Sequence, residues 1–282
     1  MASPGLSSLD PTFVARAIPT GSARHWSYLF AAPLVRGPLL GVYALLAEWL
    51  ALLDPATEAT VAQLKLAWWQ EEMTRLAQDS AVHPVSRYLA SQPGAAGAHF
   101  EILAEAVEAA MLELSRVPLE LGAHLKAHST ALLAGPLRVA SLIARPLDAT
   151  FGIEALERAT QTLAAAQYLA RALREYRRDA ACGRVPFAVD ELLQAGIENA
   201  DLSMPRPPPR LQAYLDGLRR RADERYANVG HDLPRAAREG LRHLLVLAAL
   251  GRRHLAAQSG NSALAALKDM LLAWQAARRA GN

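Results

Sequence analysis

The chain has 282 residues, 52% hydrophobic and 20% charged, which is enough apolar material for a sizeable core and too little charge for a disordered tail. Its 58 alanines against 17 glycines and 17 prolines favour helix and exclude an all-β protein, because alanine is the best helix former and is depleted in strands. The net charge of +3 is uneven: residues 1–140 hold 9 Lys+Arg and 12 Asp+Glu, whereas residues 141–282 hold 21 and 15.

In chain order, residues 1–12 read as loose and residues 13–32 as short and broken, with Pro19, Gly21 and Pro33 as interruptions. A strongly apolar helix is expected from Pro38 to Leu53, stopped by Asp54-Pro55, and Thr57 with Glu58 can start the next over 58–78. A shorter helix follows His83-Pro84, and Pro93, Gly94 and Gly97 mark a loop. Long helices are expected over 98–115, over 119–144 with a kink or a local opening at Gly135-Pro136, and over 150–179. The proline-rich loop 204–209 lies within the domain, and three more helices fill 210–228, 234–258 and 262–279. The sum is one all-α domain over 1–282, of nine or ten helices.

The longest uncharged apolar stretch, Gly37 to Ala47, is shorter than the roughly 18 residues a spanning helix needs, and the N-terminus has no signal-peptide run. A lone cysteine, Cys182, excludes a disulfide framework and suits a reducing compartment. A cytoplasmic protein is expected. The basic half can meet phosphates, diphosphates, anionic lipid or an acidic partner, or be the solvated face of an arginine-rich protein. No nucleic-acid partner is expected. The apolar stretch Leu241 to Ala257, ending in Arg252-Arg253-His254, reads either as a buried helix or as a peripheral membrane contact.

Three segments can carry chemistry. Glu48 sits five residues after Tyr43 among apolar neighbours, so it faces a polar cavity, pairs with an arginine or lies at a helix edge. Trp68 and Trp69 diverge by about 100° on a helix, which suits one in the core and one against a neighbouring helix. Glu175 and Asp179 share a face beside Arg171, Arg174 and Arg178, an arrangement that can hold a hard cation and a diphosphate or be an exposed ion-paired helix end. His124 and His128 stand at metal-ligand spacing without a third ligand, and Cys182 stands among arginines that can lower a thiol pKa.

Taken in order, these segments resemble the squalene/phytoene synthase family over residues 24–257. The resemblance is carried by Leu66-Ala67-Trp68-Trp69-x-x-Glu72 with His83-Pro84-Val85, and by Gly183-Arg184-Val185 with Asp190-Glu191-Leu192. It implies the isoprenoid synthase fold, a helical bundle around a central cavity, in which working members join two prenyl diphosphates using Mg²⁺ held by two aspartate-rich motifs. The second motif corresponds to Glu175-x-x-x-Asp179, the metal candidates, with Arg174 and Arg184 retained. The first corresponds to Leu50-Ala51-Leu52-Leu53-Asp54, where only the last aspartate remains, and Pro186 and Ala188 replace the usual Tyr and Pro. The helix from Tyr43-Ala44 to Glu48 resembles a divergent branch of the family that includes a mitochondrial complex I assembly factor. Tyr43, Glu48, Asp54, Tyr168, Arg171, Arg174 and Arg184 are the candidate cavity and ligand-binding residues.

Two functions follow from the resemblance. One is a binding or assembly factor that has lost prenyl transfer and holds a prenyl diphosphate or lipid, with a protein partner in respiratory-complex assembly. The other is a Mg²⁺-dependent prenyltransferase with Glu48, Asp54, Glu175 and Asp179 as an unusual ligand set.

Overall fold

Proline and alanine shape the architecture: prolines open helices, and alanine-rich runs let them pack closely. The computed structural model describes residues 9–54, 56–96, 98–144, 153–231, 233–256 and 263–281, and has no strand among them. The helices are α1 (Pro11–Ala17), α2 (Ala23–Phe30), α3 (Pro33–Leu52), α4 (Ala59–Ala77), α5 (Pro84–Ala90), α6 (Glu101–Leu114), α7 (Gly122–Ser129) and, after a π turn (Thr130–Ala134), α8 (Gly135–Ile143). Then come α9 (Ile153–Ala181), α10 (Val189–Gln194), α11 (Asn199–Leu202), α12 (Pro209–Asn228), α13 (Arg235–Arg238), α14 (Arg242–Ala256) and α15 (Ala263–Gly281). The fifteen α-helices among the described residues exceed the expected nine or ten, because elements as short as α11 and α13 span too few turns to show an apolar period. Residues 1–8, Pro55, Gly97, residues 150–152 of the expected fifth long helix and residues 257, 258 and 262 lie outside the described residues.

Two expected boundaries move for stated reasons. Pro33, not Pro38, opens α3, and Pro38 lies inside the helix, where the carbonyl it leaves unpaired belongs to exposed Leu34. The kink before Pro136 is a π turn: the Gly135 N–H donates to the Thr130 carbonyl five residues back, so the chain widens where proline cannot donate.

Helix α3 is the central post. It is buried along most of its length and packs against α1, α2, α5 and α8, with Trp49 meeting Trp69 of α4 edge to face at 6.1 Å. It is the one helix among the described residues long and apolar enough to cross a membrane, but 61% of its apolar window is buried inside the fold. Of the tryptophan pair, Trp69 is in the core, and Trp68 is half-exposed beneath the Arg75 guanidinium. Of the two readings of Leu241 to Ala257, its described part takes that of a buried helix: Leu244, Val246, Leu247 and Leu250 of α14 are buried, and Arg252 pairs with Asp223 at 2.7 Å.

A polar knot ties α2, α3, α8 and α14 together. The Ser27 hydroxyl donates to the His243 carbonyl at 3.1 Å and pairs with the Tyr43 hydroxyl at 2.9 Å, while the His243 ring meets Ser141 at 3.3 Å. Burial pushes the His243 imidazole down to about 3, so it stays neutral in the fold, whereas the unfolded chain takes up a proton near 6.5. Its contribution is therefore complete above pH 6.5 and is lost as pH falls from there toward 3. Urea denaturation of wild type and His243→Gln between pH 7 and 5 should show an extra wild-type slope of about 1.4 kcal/mol per pH unit below the unfolded pKa. Equal slopes would contradict it.

Candidate functional site

A cavity of about 770 Å³ opens between α2, α3, the π turn, α9, α12, α14 and α15. One wall is apolar, with Leu46, Leu50 and Leu53 facing Leu133, Leu137 and Leu247. The other wall comes from α9, whose residues 167, 171, 174, 175 and 178 recur at helical spacing and so present one face. The lining holds six arginines (24, 171, 174, 178, 184 and 253) and three carboxylates (Asp54, Glu175 and Asp269), so the chamber is net positive.

Behind this wall lies a buried ionic cluster built on Glu113 of α6. Its carboxylate accepts from Arg171 at 2.6 Å and His128 at 3.1 Å, and Arg184 approaches to 3.8 Å. Burial alone would raise the Glu113 pKa, but the His128 hydrogen bond and the Arg171 charge outweigh it and hold it at about 2. Arg184 is also buried; it meets Asp179 at 3.3 Å and donates to the Leu53 carbonyl at 3.1 Å, tying the loop after α9 to the end of α3.

The structure divides the expected residues. Tyr43, Asp54, Arg171, Arg174, Glu175 and Arg184 line the cavity. Glu48 does not: it pairs with Arg16 of α1 at 2.8 Å, the arginine pairing left open by its apolar neighbours. Tyr168 points instead to the ionic cluster, its ring 5.6 Å from His128, in a space of about 20 Å³. Glu175 and Asp179 have different surroundings. Glu175 faces the chamber and meets Arg178 at 3.4 Å, whereas Asp179 is buried against Arg184, and burial raises its pKa. Asp54 also meets Arg178, at 3.7 Å.

His124 is exposed and His128 is buried on Glu113, so the two do not converge on a metal. Among the described residues, no three His, Cys, Asp or Glu side chains gather where they could hold a metal ion. Cys182 is half-buried at the end of α9, outside the cavity lining.

Sequence reasoning missed Arg24, Glu113, Tyr226 and the group formed by Arg253, His254 and Asp269. Glu113 carried a signal, a carboxylate between Leu112 and Leu114. Arg24 carried none, being one arginine in a broken segment. It is mostly buried in the lining, its guanidinium 6.0 Å from the Tyr43 ring centroid and its Nη1 without a hydrogen-bond partner, and burial pulls its pKa down. The Trp-Trp-x-x-Glu and His-Pro-Val signatures are structural: buried Glu72 accepts from the backbone N–H groups of Val82 and His83 at 3.0 and 2.8 Å and so fixes the entry to α5.

Residues 19–272 match the sequence model of squalene/phytoene synthase. Among solved structures, the chain is similar to a dehydrosqualene synthase in complex with ligand, with a TM-score of 0.70 and 14% identity over 95% of this chain and 96% of that one. It is also similar to the squalene synthase HpnC from Alicyclobacillus acidocaldarius, with a TM-score of 0.62 and 18% identity over 98% of both chains. No curated protein matches the sequence.

Removing the Glu113 charge leaves the mostly buried Arg171 guanidinium without its carboxylate. Glu113→Gln should lower the unfolding free energy at pH 7 by about 3–5 kcal/mol. Because its folded pKa is depressed, the Glu113 contribution is present above pH 4.5 and is lost as pH falls toward about 2, so the deficit of the variant should narrow in that window. Urea denaturation at both pH values checks this, and a deficit below about 1 kcal/mol at pH 7 would contradict it.

Proposed function

The chain belongs to the squalene/phytoene synthase family, and we propose that it binds a prenyl diphosphate or a related lipid diphosphate in its cavity without condensing it, as a binding or assembly factor. The observation that carries this reading is the imbalance of the lining, in which arginines outnumber carboxylates and each carboxylate is already tied to a cation. Arg174, exposed at the chamber wall, has no hydrogen bond or ion pair among the described residues, and Arg24 is a mostly buried cation with no carboxylate beside it among them. For Arg24 a mostly desolvated unpaired charge is costly, and an anionic group that entered would relieve it and meet the solvated Arg174 as well. The leucine wall accepts the tail, and the volume falls within the roughly 300–1,000 Å³ of small-molecule sites.

The same residues do not suit Mg²⁺. That ion needs several hard oxygens on one centre. Here Glu48 is held by Arg16, Asp179 by Arg184, and Asp54 and Glu175 share Arg178. Leu50, Ala51, Leu52 and Leu53 supply no ligand where the family's first aspartate cluster would lie. The four carboxylates of the prenyltransferase reading therefore do not converge, and a binding role is favoured. The protein partner expected from resemblance to the assembly-factor branch fits that role and belongs to the same proposal.

Calorimetric titration with farnesyl diphosphate tests it, with farnesol and inorganic diphosphate as controls. Farnesyl diphosphate should bind more tightly than either fragment. Arg174→Ala and Arg24→Gln should each weaken it about tenfold or more, the value of one charge-assisted hydrogen bond. Absence of binding, or affinity unchanged in both variants, would overturn the reading.

A further inference from the structure

We propose that the outer face of α15 is a docking surface for an anionic lipid bilayer. The helix packs inward on α14 and α2 through Leu272, Ala273 and Ala276. On the opposite side Leu264, Leu267, Leu271 and Trp274 follow one another at spacings of three, four and three, so they form a single stripe. Those four side chains are 66%, 48%, 46% and 44% exposed. A bundle helix needs one apolar face; a second, outward one of this size marks a contact surface.

The charges of α15 select the partner. Lys268, Arg278 and Arg279 are exposed, and the sole carboxylate of the helix, Asp269, is buried and taken by Arg253 and His254. The exposed charge carried by α15 itself is therefore entirely positive, the pattern of a helix lying in the interface of an anionic membrane. Arg278 lies over the Trp274 ring, 4.8 Å from its centroid, which places an amphipathic ring and a cation together at the stripe's end. Another exposed apolar run, Val61, Leu64 and Trp68 on α4, lacks this signature, because Glu58 and Glu71 flank it.

Ala265 and Asp269 of the same helix line the cavity, so a docked α15 sets the chamber's edge beside the bilayer. That last connection rests on the lipid-diphosphate reading; the docking surface does not. Co-sedimentation of the full chain, without prenyl ligand, is measured on phosphatidylcholine vesicles with and without phosphatidylglycerol. Binding should require phosphatidylglycerol and weaken with salt. Leu267→Glu with Leu271→Glu, and separately Arg278→Glu with Arg279→Glu, should each lower partitioning about tenfold or more while the melting curve stays unchanged. Absence of vesicle binding, or binding unaffected by either pair, overturns the proposal. So does light scattering that shows a wild-type dimer split by the leucine changes, which would make the face a contact between copies of this chain.

Discussion

A carboxylate almost out of reach of water, Glu113, braces the polar side of this molecule. A buried charge persists only when cations and donors meet it, and here they come from separate parts of the chain: Arg171 from α9, His128 from α7 and Arg184 from the loop beyond α9. The cluster fixes the rotation of α9 about its axis. With Arg171 held at the cluster, Arg174, Glu175 and Arg178 are carried onto the chamber wall. Arg184 extends the same brace to α3 through the Leu53 carbonyl, so the apolar and cationic walls share one anchor.

That arrangement separates two uses of charge. The Glu113, Asp179 and Arg184 side chains are buried and meet charged partners within the cluster, Arg171 and His128 included, and they hold the shape. Arg24 and Arg174 are left over, and they give the cavity its sign. The family signatures fall mostly in the first class. Glu72 secures the start of α5, and Glu191 binds Arg221 at 2.6 Å and accepts from Tyr214 at 3.0 Å, joining α10 to α12. A sequence can therefore retain the family's recognisable residues for the fold, while the chemistry of the chamber depends on other positions.

The fold was legible because its signals are local. Alanine content, proline punctuation and apolar spacing placed the long helices, and the Gly135-Pro136 irregularity became a π turn because proline lacks a donor. The site was legible only along α9, where one helix carries several lining residues in a single stripe. Glu48 was misplaced as a cavity candidate because a lone carboxylate among apolar residues reads the same whether its partner is a ligand or Arg16 across a helix interface. The i, i+4 spacing of Glu175 and Asp179 gave no hint that one faces the chamber and the other Arg184. Arg24 and Glu113 became visible only when distant elements were brought together, which no periodicity records. The outer stripe of α15 was present in the sequence as apolar spacing, but only packing shows which of its two apolar faces is inward.

The proposed function has arginines, without a metal, holding a lipid diphosphate. The most direct test is the dissociation constant of farnesyl diphosphate for the intact protein, measured in Mg²⁺ and again in EDTA. The two values should agree within about threefold, a difference of well under 1 kcal/mol. Affinity that appears only when Mg²⁺ is present would show a metal site that the paired carboxylates do not provide, and would contradict the account.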